Sequence, residues 1–259
     1  MTKSIELGNF SHLATHYSGN RPDYARNVLL AITGLFDSPI ETKDVCDVGA
    51  GTGIWTRMLS TLNPNSLNAI EPNQEMRLKG QEDSNFEKIH WKDGSAENTG
   101  MGNLSVDWVT MASSFHWANF DLALKEFSRI LRPNGFFTAV WNPRVVIGNP
   151  FFEEIENLLI ELKPDLKRKS SGNSEFTEGL SSNLGNNLLF KNVIYIESTH
   201  TIRMSKERYI SAWMSVNDVR VQLGENNFRT FIDKVKEKIQ DIEHVDSIYK
   251  TRAWTVQKR

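Results

Sequence analysis

The stretch Val45-Cys46-Asp47-Val48-Gly49-Ala50-Gly51-Thr52-Gly53 decides the fold. Its first four residues, apolar except for Asp47, read as a strand buried on both faces, as strands of a parallel sheet are. Three glycines follow at alternate positions. They let the chain turn sharply and bring main-chain N–H groups against a ligand that a Cβ would obstruct. From Ile54 to about Leu62 the pattern turns helical. The turn therefore joins the carboxyl end of a strand to a helix N-terminus, the place where open α/β sheets bind ligands.

Outward from this turn, Leu67-Asn68-Ala69-Ile70 reads as a second strand ending at Glu71-Pro72. Asn73 can cap a short helix through Met76 and Leu78. Phe86 to Trp91 reads as a third strand ending at Asp93-Gly94, and Val106 to Ala112 as a fourth. Asp121 to Leu131 places Leu122, Leu124, Phe127, Ile130 and Leu131 on broadly one side of a helix, which Arg132-Pro133-Asn134-Gly135 stops. Phe136 to Trp141 is a fifth strand. The alternation from Asp44 to Pro143 predicts a parallel sheet with crossover helices. Beyond it, the sequence predicts a helix from Pro150 to Leu162 and a Ser/Asn/Gly-rich loop or mobile cover from Ser170 to Asn187. A strand at Val193-Ile194-Tyr195-Ile196, a helix from Met204 to Val216 and a last strand at Ala253-Trp254-Thr255-Val256 complete the reading.

The 259 residues, 39% hydrophobic and 24% charged, have the balance of a globular protein. Thirty basic and 32 acidic residues give a net charge of -2, so no general field draws the chain to nucleic acid or an anionic membrane. The basic run Lys163 to Lys169 reads as solvated loop. A single cysteine, Cys46, excludes an intramolecular disulfide and a cysteine zinc site, and points to a reducing compartment. Met1 to Phe10 shows neither a signal-peptide core nor a membrane-length apolar run, so a soluble cytoplasmic protein is expected. His12-x-x-x-His16 has the helical spacing of two metal ligands but lacks the Glu of H-E-x-x-H, and no metal is expected.

A dinucleotide fingerprint, G-x-G-x-x-G, would need a glycine where Ile54 stands; the spacing here is G-x-G-x-G. Asp47 can accept from a ligand ammonium group or fix the turn by bonding its N–H groups, and it would repel phosphate. Glu71, ending the second strand, can accept from both hydroxyls of a ribose. Together the two acids suit a ligand that is cationic at one end and a nucleoside at the other, which favours S-adenosylmethionine over NAD.

With Gly94-Ser95-Ala96-Glu97, Val106-Asp107-Trp108-Val109, Ser114-Phe115-His116-Trp117 and Leu131-Arg132-Pro133-Asn134-Gly135, the chain resembles class I S-adenosylmethionine-dependent methyltransferases of the broad type 11 group. Trans-aconitate and toxoflavin-pathway methyltransferases are similar in style. The resemblance covers about Phe10 to Trp141. It includes Tyr17-x-x-x-Arg21-Pro22-x-Tyr24, a segment that in such enzymes folds over the cofactor. It implies a Rossmann-like α/β sheet of seven mostly parallel strands with one antiparallel edge strand and helical lid insertions. A single domain over 1–259 is expected, with a helical cap at 1–40, a cofactor-binding core at 41–143, a helix and lid at 144–187, and C-terminal strands with a helical insertion at 188–259.

The resemblance also implies that Gly49 and Gly51, with Ala50 and Gly53, lie under the methionine part of the cofactor. Glu71, beside Pro72, would bind the ribose. Met76 would pack near the adenine, Ser95 with Ala96 would cap its edge, and Ser113 would lie near the amino group. Tyr17 and Arg21 would close over the cofactor. Many relatives carry Asp in place of Ser95, and nearby Asp93 could substitute. The product would be S-adenosylhomocysteine.

Methyl transfer is an in-line displacement in which orientation and exclusion of water supply most of the acceleration. A hydroxyl acceptor needs a general base, whereas an amine, ring nitrogen or carboxylate attacks with its own lone pair. His116 is the candidate base, with packing as the alternative. Trp117, Trp141 and Trp213 could wall a flat acceptor. The N-(P)-P-Y signature of DNA amino-methyltransferases is absent. The expected partner is therefore a small molecule, not nucleic acid or membrane, bound by a monomer or homodimer, with Ser170 to Asn187 and Arg203 to Gln222 setting acceptor choice. The alternatives are a nicotinamide oxidoreductase and a noncatalytic cofactor-binding protein of the same fold.

Overall fold

β1 (Asp44–Val48) pairs in parallel with β2 (Ser66–Ile70) on one side and β4 (Val106–Ala112) on the other. The computed structural model describes residues 20–84, 88–168, 172 and 174–259. The expectations placed on Met1 to Phe10, His12, His16, Tyr17 and Phe86 lie outside the described residues. β3 (Ile89–Lys92), β5 (Leu131–Trp141), β6 (Phe190–Ser205) and β7 (His244–Lys258) complete one sheet in the order β3-β2-β1-β4-β5-β7-β6. β7 is the antiparallel member, pairing with β5 and with β6, next to that edge of the sheet.

Both faces of this sheet are covered, which is why its central strands read as apolar runs. On one face α1 (Arg26–Thr33) and α2 (Ile54–Ser60) bury Val28, Leu29, Ile32, Trp55 and Leu59. On the other, α4 (Phe120–Ile130) buries Ala123, Leu124, Phe127 and Ile130. Leu122, expected inside, is exposed: helical spacing puts it about 140° around the helix from Phe127. Each large apolar side chain fully buried here contributes roughly 2 kcal/mol. Asn73 caps α3 (Gln74–Asp83), its Oδ1 accepting from Met76 N at 3.0 Å, and Asn119 caps α4 in the same way.

The structure departs from the sequence reading beyond Pro143. α5 (Pro150–Leu162) falls where expected, with Pro150 at its first turn. The expected loop from Ser170 to Asn187 instead contains α6 (Glu175–Glu178) and α7 (Leu180–Gly185). Leu180 and Leu184 are fully buried, Phe176 packs edge-on to Phe115 at 5.6 Å, and Trp254 Nε1 donates to Ser181 Oγ at 2.9 Å. Phe176, Leu180 and Leu184, spaced by four, carry the packing. The Ser, Asn and Gly around them have low helix propensity and hide that period.

β6 extends to Ser205, well past the four residues expected, because it pairs with β7 along its length while presenting Glu197, Thr199, Thr201 and Arg203 outward. Met204 belongs to this strand. α8 (Lys206–Met214) starts after it, with Ser205 Oγ accepting from Arg208 N at 3.2 Å. α9 (Asn217–Lys238), absent from the sequence reading, is broken at Gly224, where φ is +72°. α5, α8, α9 and the far half of the antiparallel β6–β7 pair share a separate apolar cluster around Phe152, Tyr209, Trp213 and Phe231. Among the described residues no helix is long and apolar enough to cross a membrane.

Candidate active site

The turn after β1 is left-handed at all three glycines: φ is +65° at Gly49, +59° at Gly51 and +81° at Gly53. An L-residue pays roughly 1–2 kcal/mol for such a conformation. Ala50 N donates to the Ile70 carbonyl at 3.1 Å, which ties the turn to β2. Glu71 completes the tie. Its Oε2 accepts from Gly51 N and its Oε1 from Asn73 N, both at 2.8 Å, so one carboxylate locks the glycine turn to the start of α3. Burial pushes the Glu71 carboxyl up, and the Asn73 and Gly51 amides oppose this.

Asp47 lies beneath the turn with no exposed surface. Its Oδ2 accepts from Thr56 Oγ1 at 2.5 Å and its Oδ1 from Thr110 Oγ1 at 2.9 Å, linking α2 to β4. Burial pushes its carboxyl up to about 7, against the two threonine bonds. Raised above its unfolded value, Asp47 favours the fold most at acid pH, and that contribution is lost as pH rises from about 4 to about 7. Asp47→Asn should therefore gain melting temperature relative to the parent as pH rises from about 5 to about 8, by an amount equivalent to a few kcal/mol. A pH-independent difference between the two melting curves would contradict this.

Two chambers open above the sheet. The first, of about 410 Å³, is walled by Gly49, Ala50, Gly51, Glu71, Pro72 and Met76. Ser95, Ala96 and Ser113 close its other side. The second, of about 360 Å³, lies between the ends of β4 and β5 and the helical cluster, with Trp141, Arg144, Glu156 and Asp218 among its walls. Tyr24, Ile54, Ser113 and Trp117 belong to both. At that shared wall the Tyr24 hydroxyl and Ser113 Oγ are 2.8 Å apart. Ser113 holds φ +54°, a backbone strain of the kind that collects at functional sites.

Residues 46–139 match the family profile described as a methyltransferase domain. An uncharacterized methyltransferase-like protein of Schizosaccharomyces pombe is 31% identical over 169 residues, 64% of this chain and 63% of that protein. A second uncharacterized methyltransferase of the same yeast is 33% identical over 130 residues, 49% of this chain and 50% of that one. The match thus spans less than two thirds of either relative's own length. A solved structure from Anaeromyxobacter dehalogenans, assigned as a type II methyltransferase, superposes with a TM-score of 0.65 at 18% identity, covering 92% of this chain and 97% of that one. Residues 46–139 are thus similar to a methyltransferase domain, and the chain shares the fold of a solved methyltransferase structure.

Several sequence expectations change on this fold. Asp47 is not in the wall of the first chamber; both oxygens hold threonines, so it fixes the turn from below and does not face a ligand ammonium. Gly53 also lies outside the walls, as the residue that starts α2, packed against the Trp91 ring. Arg21 lines the second chamber, where its Nε donates to Ser215 Oγ at 2.7 Å. Asp93 pairs with Arg77 at 3.1 Å on the surface and does not replace the missing Asp at Ser95. Trp213 lines neither chamber; it is buried, with its ring 4.5 Å from the Arg144 guanidinium.

His116 also lines neither chamber. It packs among Trp117, Trp141 and Phe176, and its Nδ1 accepts from Trp141 Nε1 at 3.4 Å. The proton of the neutral ring is then on the buried Nε2, which has no acceptor. Burial lowers its pKa to about 4, with Asp218 opposing, so it stays neutral and weakly basic. Geometry and basicity both make it a packing residue. His116→Asn should keep kcat within about tenfold of the parent in steady-state assays, where loss of a general base costs roughly 10²–10⁴.

Trp117 and Trp141 do reach the second chamber, and Ala212, Val216, Asn217 and Asp218 place the Arg203 to Gln222 segment there too. Phe176 instead supports the chamber from behind Trp141. Sequence reasoning missed Arg144, after β5, and Glu156, in α5; Arg168, in the run read as solvated loop, instead pairs with Glu156 in the chamber wall, and Asp218 falls inside the expected Arg203 to Gln222 segment. Among the described residues no group of three His, Cys, Asp or Glu side chains gathers as a metal site.

Proposed function

We propose that the chain binds S-adenosylmethionine in the first chamber and transfers its methyl group to an oxygen or nitrogen of a small molecule in the second, leaving S-adenosylhomocysteine. The observation that carries this reading is the wall common to both chambers at Tyr24, Ile54, Ser113 and Trp117. The first chamber suits the cofactor. Each Glu71 oxygen holds one backbone N–H and keeps a lone pair for a ribose hydroxyl, while a Cβ on Gly51 would meet no protein atom but Met76 Cε, at 3.6 Å.

When bound, S-adenosylmethionine supplies an electrophilic methyl carbon on a sulfonium. The chain's own residues orient and enclose. Met76 and Ala96 give apolar contact to a base, and the Tyr24–Ser113 hydroxyl pair faces the boundary across which the methyl group passes. Trp117 and Trp141 offer flat faces to the acceptor and help exclude water. With His116 out of reach, an acceptor that attacks with its own lone pair fits best. The partner is a small molecule rather than nucleic acid or membrane, acted on in the cytoplasm by a monomer or homodimer.

Ligand-induced stabilisation tests the reading. S-adenosylmethionine and S-adenosylhomocysteine at about 100 times Kd should raise the melting temperature by several degrees, equivalent to roughly 2.7 kcal/mol. NADH should give no shift. The reverse pattern would favour a nicotinamide enzyme.

A further inference from the structure

Arg144 stands out in the second chamber. Among the described residues its side chain makes one hydrogen bond, Nη1 to the Tyr209 hydroxyl at 2.8 Å, and its Nε is buried without an acceptor. No carboxylate pairs with it among the described residues. Glu156, the carboxylate whose charge acts on it, is held by Arg168, whose Nη1 reaches both of its oxygens at 2.8 and 2.6 Å. The Trp213, Tyr209 and Phe152 rings surround the Arg144 guanidinium at 4.5, 5.4 and 5.5 Å and fix its position. A guanidinium packed by rings and short of acceptors is poised for an anion.

The charge of the chamber agrees. Among the described residues its walls hold three guanidiniums, Arg21, Arg144 and Arg168, against two carboxylates, Glu156 and Asp218, an excess of one positive charge. One monoanion neutralises it. A phosphate dianion would overshoot and meet Glu156 and Asp218, whereas a planar carboxylate matches the guanidinium fork. Trp117, Trp141 and Tyr249 supply aromatic surface for the rest of the molecule.

Resting on the proposed methyl transfer, we propose that Arg144 anchors a carboxylate of the acceptor, so that the second chamber selects small planar organic acids. The anchored carboxylate is not the methylated group: paired with a guanidinium, its lone pairs are engaged and its nucleophilicity is reduced. The methyl group goes to another oxygen or nitrogen of the same molecule. There the new bond to carbon forms as the carbon–sulfur bond breaks, and any acceptor proton passes to solvent.

The test is calorimetric titration of the S-adenosylhomocysteine-loaded protein with the pairs benzoate and benzamide, cinnamate and cinnamamide, and fumarate and fumaramide, plus inorganic phosphate. At least one acid should bind about tenfold or more tighter than its amide. Arg144→Met should erase that preference, and Glu156→Gln, which removes a competing carboxylate, should strengthen it several-fold. If Arg144→Met does not fold, Arg144→Lys decides: it keeps the charge but loses the planar fork and should reduce the preference several-fold. Equal binding of every acid and amide, tighter binding of phosphate than of any acid, or no response to Glu156→Gln would overturn the proposal. S-adenosylhomocysteine affinity is read on the same samples: normal affinity without acid preference refutes only the anchor, while no affinity refutes the methyltransferase reading itself.

Discussion

Glu71→Ala is expected to weaken S-adenosylhomocysteine binding by roughly 100-fold or more, with a smaller loss of melting temperature. In the proposed cofactor site, two charge-assisted hydrogen bonds to a ribose, each worth roughly 1.5–3 kcal/mol, would disappear with the carboxylate. The change also releases the Gly51 and Asn73 amides, both now bonded at 2.8 Å, so the turn loses its lock to α3. Glu71→Gln separates these effects. Its amide keeps the shape but points an NH₂ donor at one of two backbone donors, so it too should bind weakly, between the parent and Glu71→Ala. Calorimetry on the three proteins measures this order. Parent-like affinity in Glu71→Ala would remove Glu71 from the cofactor site.

The second large effect is expected at Gly51. Gly51→Val should abolish measurable cofactor binding while the chain stays folded, its melting temperature falling by several degrees. The residue holds φ +59°, which a β-branched side chain tolerates poorly, at roughly 2 kcal/mol or more. Its new Cβ would find the Met76 Cε at 3.6 Å and otherwise the open chamber, so the branches occupy the space a ligand needs. Gly49→Ala makes the contrast. A Cβ there would lie 2.7 Å from Ser114 Oγ and 2.8 Å from Ser114 Cβ, so that variant should lose stability first. Circular dichroism melts beside calorimetry separate the two outcomes.

The part of the molecule legible in the sequence was the part where local signals and tertiary structure agree. β1, the glycine turn, α2 and Glu71 follow one another within 28 residues, and each carries its own cue: apolar run, alternate glycines, an acid at a strand end. β4 and α5 match their expected spans for the same reason. The far half failed where tertiary pairing overrode composition. β6 is a polar-looking strand stabilised by its long register with β7, and Phe176, Leu180 and Leu184 form a helical stripe diluted by Ser and Asn. Histidine position misled as well. His116 follows a strand at the carboxyl edge, as a base would, yet its side chain turns behind Trp117 into an aromatic cluster. Arg144 shows the reverse case: nothing in Pro143-Arg144-Val145 marks it, and only the packing of α5, α8 and β7 gathers the rings and acids around it.

The most direct test of the central claim is incubation of the protein with methyl-labelled S-adenosylmethionine and a small-molecule metabolite extract, followed by mass spectrometry. The account predicts label on a small acid at an oxygen or nitrogen, S-adenosylhomocysteine formed in equal amount, and loss of both products in Glu71→Ala. Cofactor binding without labelled product from any extract would contradict it and leave a binding protein on a methyltransferase fold.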